Sequence, residues 1–375
     1  MERIKFNRNE LSGAFGDIGT DLPLIIGMLL ATDFEITNVL ILFGAMQIVT
    51  GLIYGIPMAV QPLKAVALIV ITQKISGNIV LAGGLVIGII MLVLSLTNLL
   101  GYLEKIIPKT VIRGVQFGLG IQLALIALKD YIPSDGAAGY VLASIAFVIG
   151  LVLIGNRKYP PALFIISFGL VFAFIFKFNF SNFHFSLPGF KLPQIDINNL
   201  WTGFALLALP QIPLSLGNSI FATKQIVNDL YPEKKLTVKK IGITYGIMNI
   251  TGSLLGGIPV CHGSGGLIGH YTFGGRTGGS AFIYGLLYIL LGLVLNTNFV
   301  HVVQQFPKPI LGVILLFEGI SLIFLVKDTI QDTKQFMVAI VVALIANGVP
   351  NGYFIAILVG TILYYSINKY ALKYY

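Results

Sequence analysis

The stretch GGIPVCHGSGGLIGH, residues 256–270, decides how this chain folds. It packs six glycines, a proline, the only cysteine and two of the four histidines into fifteen residues of an otherwise apolar sequence. A continuous helix does not run through such a stretch, because glycine costs about 1 kcal/mol and proline about 3 kcal/mol relative to alanine in a helix interior. The surrounding composition says what solvent the break sits in. The 375 residues are 56% hydrophobic and only 10% charged, with a mean hydropathy of +0.90, whereas soluble domains carry roughly 25% charged residues. Residues 79–96, 137–155, 159–176 and 200–223 contain no charge at all, and each is long enough to cross ~30 Å of hydrocarbon. The chain therefore reads as an all-α polytopic membrane protein whose partner is a lipid bilayer.

Residues 1–10 are short and charged, with no apolar run and cleavage site before Leu11, so no signal peptide is expected. A single cysteine allows no internal disulfide. Apolar segments between polar breaks number about fourteen. With the N-terminus inside, the inner side collects eighteen of the basic residues, from Arg3 to Lys373, and includes Arg113. The outer side takes only Lys74, Lys129, Lys177, Lys191 and Lys308, and Lys64 stays in the membrane. This asymmetry puts both termini in the cytoplasm of a multi-pass cell-membrane protein. The net charge of +9 is then topology and not nucleic-acid binding. Trp201 and many tyrosines near span ends suit the interfaces. Little chain follows the last span, so no soluble C-terminal domain is expected.

An internal repeat organises the spans. Ile107-Pro108-Lys109 with Gly120-Ile121 recurs 199 residues on as Phe306-Pro307-Lys308 with Gly319-Ile320, and Gly55-Ile56-Pro57 recurs 202 residues on as Gly257-Ile258-Pro259. Seven spans per repeat is an odd number, so the second half enters the membrane from the opposite side, the inverted arrangement of many transporters. Residues 1–177 form the first repeat, 178–199 an extracellular connection and 200–375 the second repeat. The opening stretch thereby gains a partner, GIPMAVQPLKA at residues 55–65.

Both stretches read as short extended segments feeding half-helices. Pro62 suits a first helical turn, and Pro57 and Pro259 discourage helix before themselves. Gly263, Gly265 and Gly266 let backbone approach a ligand closely. Two half-helix N-termini facing each other at mid-membrane present free N–H groups and positive dipole ends, which make an anion site. Lys64 beside one of them either faces the cavity as an anion ligand or pairs with Asp17 or Asp21. His262 either donates to an oxyanion or packs. Ser264 donates or caps its helix, and Gln61 lies at the break. Asp17 and Asp21 share a helix face in GAFGDIGTDLP with Thr20 between them. Gln211 and Asn218 in PQIPLSLGNS line the cavity or bond between helices. Arg113 and Glu318 read as gate-helix charges near an interface or in a salt bridge.

GDIGT, PMAVQPLKA, PQIPLSLGNS and CHGSGGLIGHYTFGGRTGG together resemble the molybdate transporter family, a branch related to the sulfate permeases and prestin-like anion transporters. The resemblance covers residues 11–325. It implies seven plus seven inverted spans, a core domain of spans one to four and eight to eleven, and a gate domain of spans five to seven and twelve to fourteen. Elevator-type alternating access would import a tetrahedral oxyanion held by Gln61, Pro62, Lys64, His262, Gly263, Ser264, Gly265, Gln211 and Asn218. Asp17, Thr20, Asp21 and Glu318 would line the cavity or couple transport to protons. Molybdate is the expected substrate, with tungstate and sulfate as rivals and a homodimer as a candidate assembly. An anion channel on the same fold would use the same dipoles, and a sulfate or nucleobase carrier is the rival among transporters. Ser264 near His262 and His270 suggests a serine hydrolase, but G-x-S-x-G is absent, as is H-E-x-x-H for zinc. No enzyme, catalytic residue, metal or cofactor is expected.

Overall fold

A computed structural model describes residues 4–156, 158–159, 161–177, 189–349 and 352–371. Half of the expected connection at 178–199, together with Arg3, Arg157 and Lys373, lies outside the described residues. Helix α1 (Arg8–Ala31) begins where the Asn7 side chain accepts from the N–H groups of Asn9 and Glu10, a cap that satisfies donors the helix itself leaves free. Helix α2 (Ile36–Tyr54) ends at Gly55, whose φ of 66° is left-handed. The chain then passes through strand β1 (Gln61–Pro62) into the short helix α3 (Lys64–Gln73). Helices α4 (Gly77–Leu96), α5 (Leu99–Ile106), α6 (Lys109–Ile126), α7 (Gly136–Leu153) and α8 (Pro161–Phe176) follow.

The second half takes the same course. A bent pair, α9 (Asn199–Ile212) and α10 (Ser215–Leu230), leads to α11 (Val238–Leu255), which Thr237 caps through the Lys240 N–H. Helix α11 ends at Gly256, left-handed at φ 86°. Strand β2 (Val260–Cys261) then feeds the short helix α12 (Ser264–Thr272). Helices α13 (Gly278–Val294), α14 (Phe299–Gln304), α15 (Lys308–Phe324), α16 (Thr333–Gly348) and α17 (Gly352–Ala371) complete the chain. Among the described residues, five helical stretches are long and apolar enough to cross a bilayer, and the bent α9–α10 pair makes a sixth. Helices α8, α13 and α16 are shorter but also apolar. The molecule is a helical membrane protein, as its composition demands.

The two breaks meet in the interior. β1 and β2 pair antiparallel, with Gln61 opposite Cys261 and Pro62 opposite Val260, and all four residues are buried. The Leu63 N–H extends this pairing by donating to the Pro259 carbonyl at 3.0 Å. That bond moves the helix start: Pro62 lies in the strand and not in the first turn, and α3 begins at Lys64 with Leu63 as its cap residue. A proline still fits, because the strand position it occupies needs no N–H.

Each extended segment is held by one amide side chain. Gln47 of α2 donates to the Val60 carbonyl at 2.7 Å and accepts from the Val60 N–H at 3.1 Å. Asn249 of α11 does the same for Val260, at 2.6 and 2.9 Å. Irregular backbone at membrane depth persists only where protein or water satisfies it, and these two side chains do so. We expect Asn249→Leu to lower the melting temperature in detergent clearly, since it orphans a buried donor and a buried acceptor at roughly 1–3 kcal/mol each. A variant melting with the unmodified protein would show that the clamp contributes nothing.

Candidate functional site

The paired breaks bring α3 and α12 to the centre of the protein, and polar side chains from α1, α9, α10 and α15 gather around their first turns. Helix α12 is the more crowded. A Cβ built on Gly263 would run into the Gln61 amide, one on Gly265 into the Glu318 carboxyl, and one on Gly266 into the Asp17 carboxyl. The glycines of the opening stretch are therefore required by side chains lying flat against the helix start. Carboxylates gather there because the N-terminal dipole is positive.

Hydrogen bonds tie part of this cluster. Gln61 Nε2 donates to Asp17 Oδ1 at 2.5 Å, and the Thr20 hydroxyl donates to Glu318 Oε2 at 2.9 Å. Asp21 neighbours Asp17 and the Tyr284 hydroxyl, which also reaches Tyr288 at 3.1 Å. Asp17, Asp21, Gln61 and Glu318 are all fully buried. Six buried polar atoms of the cluster nonetheless have no hydrogen bond of good geometry: Asp17 Oδ2, both oxygens of Asp21, Gln61 Oε1, Glu318 Oε1 and Lys64 Nζ. The Lys64 charge acts on all three carboxyls without forming an ion pair with any. Unsatisfied polar atoms are rare in protein interiors and call for an explanation such as a missing ligand, proton or water.

The other expected site residues divide by whether protein already occupies them. Gln211 Oε1 accepts from the first-turn N–H groups of α3, Ala65 at 3.0 Å and Val66 at 3.3 Å, and its amide donates to Ser215, which meets Tyr245. It caps the half-helix and so occupies donors expected to face an anion. Both ring nitrogens of His262 are engaged, Nε2 with the Thr244 hydroxyl at 2.7 Å and Nδ1 with the Ala59 carbonyl at 3.3 Å, and its ring meets Tyr54 edge-on. Both ring nitrogens thus already have protein partners. Ser264 donates to Asn218 Oδ1. Glu318, read both as a gate-helix charge near an interface or in a salt bridge and as a cavity residue, sits in the central cluster beside Thr20 and Gly265. Arg113 is in salt bridges, with Asp229 and Asp328. Sequence reading misses Tyr284, which sits in α13 away from both breaks and carries no motif.

The profile of a family described as "Molybdate transporter of MFS superfamily" matches residues 9–123 and 203–322. The chain belongs to the molybdate transporter family. Among its relatives, Molybdate transporter 2 of Arabidopsis thaliana is 34% identical over 388 residues, covering 91% of this chain and 83% of that protein. Molybdate transporter 1 of the same plant is 33% identical, with 87% and 80% covered. Among solved structures, the transmembrane domain of the cyanobacterial bicarbonate transporter BicA superposes with a TM-score of 0.58 at 16% identity, covering 95% of this chain and 96% of that one. SLC26A9 gives 0.59 at 14% identity, covering 97% and 65%. Family membership thus comes from sequence, and the sulfate-permease-like fold from structure. The relatives of this molybdate transporter family member are transporters, which supports anion transport.

Proposed function

We propose that this protein is a secondary active transporter that imports molybdate across the cell membrane by elevator-type alternating access. Fourteen spans in two inverted halves, 1–177 and 200–375, would comprise a core of α1–α4 and α9–α13 and a gate of α6–α8 and α15–α17, with both termini cytoplasmic. The matched courses of the two halves support this division, including the left-handed ends at Gly55 and Gly256 and the clamps at Gln47 and Asn249. Lys64, the backbone around Pro62, Gly263 and Gly265, and the polar groups of Gln61, Ser264 and Asn218 would hold the oxyanion. Gln211 and His262 would instead support the half-helices.

The observation that carries the reading is the half-buried Lys64, its Nζ buried without a partner, among unpartnered oxygens at the meeting of the two half-helices. It also implies coupling. Molybdate is a dianion, and the site already contains three carboxyls against one ammonium, so substrate and ionised carboxylates repel each other strongly in a low-dielectric interior. Protons entering with the substrate would remove that repulsion. They would also offset a membrane potential that opposes anion entry by about 2.3 kcal/mol per charge per 100 mV. Asp17, Asp21 and Glu318 are the candidate proton carriers in this scheme, Glu318 first among them because Thr20 orients it.

Uptake in proteoliposomes, with molybdate, tungstate and sulfate in competition, tests the reading. We expect saturable molybdate uptake that an inward proton gradient accelerates and that tungstate inhibits more strongly than sulfate. Non-saturable flux would indicate a channel, and sulfate outcompeting molybdate would reassign the substrate.

A further inference from the structure

Arg113 of α6 is 3% exposed and joins two carboxylates. Its Nε and Nη2 hold Asp328 at 2.8–3.2 Å, and Nη2 also reaches Asp229 at 2.6 Å. Asp328 follows α15, and Lys109 of α6 reaches it at 2.7 Å, so this arm stays within the gate. Asp229 lies near the end of α10, so the other arm crosses to the core. One turn along α6, Gln116 Nε2 donates to the Ala222 carbonyl of α10 at 3.1 Å, a second crossing.

Farther along α6 the seam opens. Leu119 and Gln122 line a cavity of about 310 Å³ together with Lys64 and Ala65 of α3, Pro210 of α9 and Tyr353 of α17. Gln122 lies nine residues beyond Arg113, roughly 13 Å along the helix axis. Tyr353 donates to Gln122 Oε1 at 2.9 Å, which leaves the amide hydrogens of Gln122 as the donor end. Core and gate are thus joined at the Arg113 end and parted beside Lys64 where α3 and α9 face α6 and α17.

Resting on the core and gate reading above, we infer that the Arg113–Asp229 contact is the shut gate of the transport path. The cavity bounded by Lys64, Gln122 and Tyr353 is then the open mouth through which a tetrahedral oxyanion reaches Lys64. Two carboxylates on one guanidinium make the gate reversible. When core and gate slide apart at this end, Asp229 leaves and Asp328 stays, so Arg113 is never buried without a counterion, a state that is costly. Breaking the Asp229 arm therefore favours the opposite state, in which the mouth at Lys64 closes.

The test uses the full chain in sealed proteoliposomes, with Gln122→Cys labelled by a membrane-impermeant maleimide and the natural Cys261 buried at 2% exposure. Asp229→Asn should lower the open-to-closed ratio at least about fivefold, the lower end of ordinary two-state coupling, and slow labelling in proportion to the open fraction lost. Asp229→Glu, which keeps the charge, should restore it. Gln116→Leu, which cuts the second crossing and removes the acceptor of Arg113 Nη1 at 2.9 Å, should slow it in the same direction and serves if Asp229→Asn does not fold. Asp328→Asn should leave labelling near the starting rate, because that arm lies within the gate. Unchanged labelling in folded Asp229→Asn, or equal slowing by Asp328→Asn, overturns the inference. Labelling requires no substrate, so failure of the wild-type protein to bind molybdate would remove the proposed substrate and leave the gate standing.

Discussion

Lys64→Met should weaken molybdate binding by about 1.5–3 kcal/mol, roughly 10- to 150-fold, while changing the melting temperature little. The expectation rests on what surrounds the ammonium. Lys64 is the first residue of α3, where a positive charge opposes the helix dipole, and Nζ is buried without a hydrogen-bond partner. The three carboxyls act on this ammonium without bonding it, and an arriving anion supplies the hydrogen-bond partner it lacks. Were it instead the structural partner of Asp17 or Asp21, removing it would break a buried pair and cost about 3–5 kcal/mol of stability. Lys64→Met combined with Asp17→Asn or Asp21→Asn would then recover stability, whereas under the ligand reading the double variant does not recover binding. Titration calorimetry and thermal melting on the same variants decide the matter. Unchanged affinity in a stable Lys64→Met protein would remove this residue from the site.

Glu318→Gln should abolish the acceleration of molybdate uptake by an inward proton gradient while leaving binding at least as tight as before. Glutamine keeps the size of the side chain and can still accept from Thr20, but it carries no exchangeable acid proton and no charge. Removing one of three carboxyls also relieves repulsion toward a dianion. Each proton no longer carried with the substrate leaves about 2.3 kcal/mol of the opposing potential unoffset at 100 mV. Uptake with the gradient should fall to the level measured without it. Full proton-stimulated uptake in Glu318→Gln would exclude this residue as the carrier, and the same assay on Asp17→Asn and Asp21→Asn would locate it.

Much of the central region is legible in the amino-acid sequence alone, for a local reason. Helix breaks, proline spacing and charge scarcity are properties of short windows, and a membrane leaves few conformations for an apolar chain, so GIPMAVQPLKA and GGIPVCHGSGGLIGH mark two interrupted spans. Pro62 shows where window reasoning fails: its rank as a good first-turn residue is overridden by the Leu63 bond to Pro259, about two hundred residues away. The neighbours of Glu318 are hidden for the same reason, because nothing near it in sequence reveals Thr20 or Gly265.

By itself the sequence determined the solvent, the helical class, the positions of the two breaks and the family, since each depends on composition or on motifs read along the chain. Only the tertiary structure decided which polar groups are already taken. Gln211 caps α3, both nitrogens of His262 are bonded, Arg113 is shared between Asp229 and Asp328, and Lys64 is left without a partner. Those outcomes depend on distances between helices far apart in sequence. A buried polar side chain is a ligand or a strut according to whether packing brings it a partner of its own.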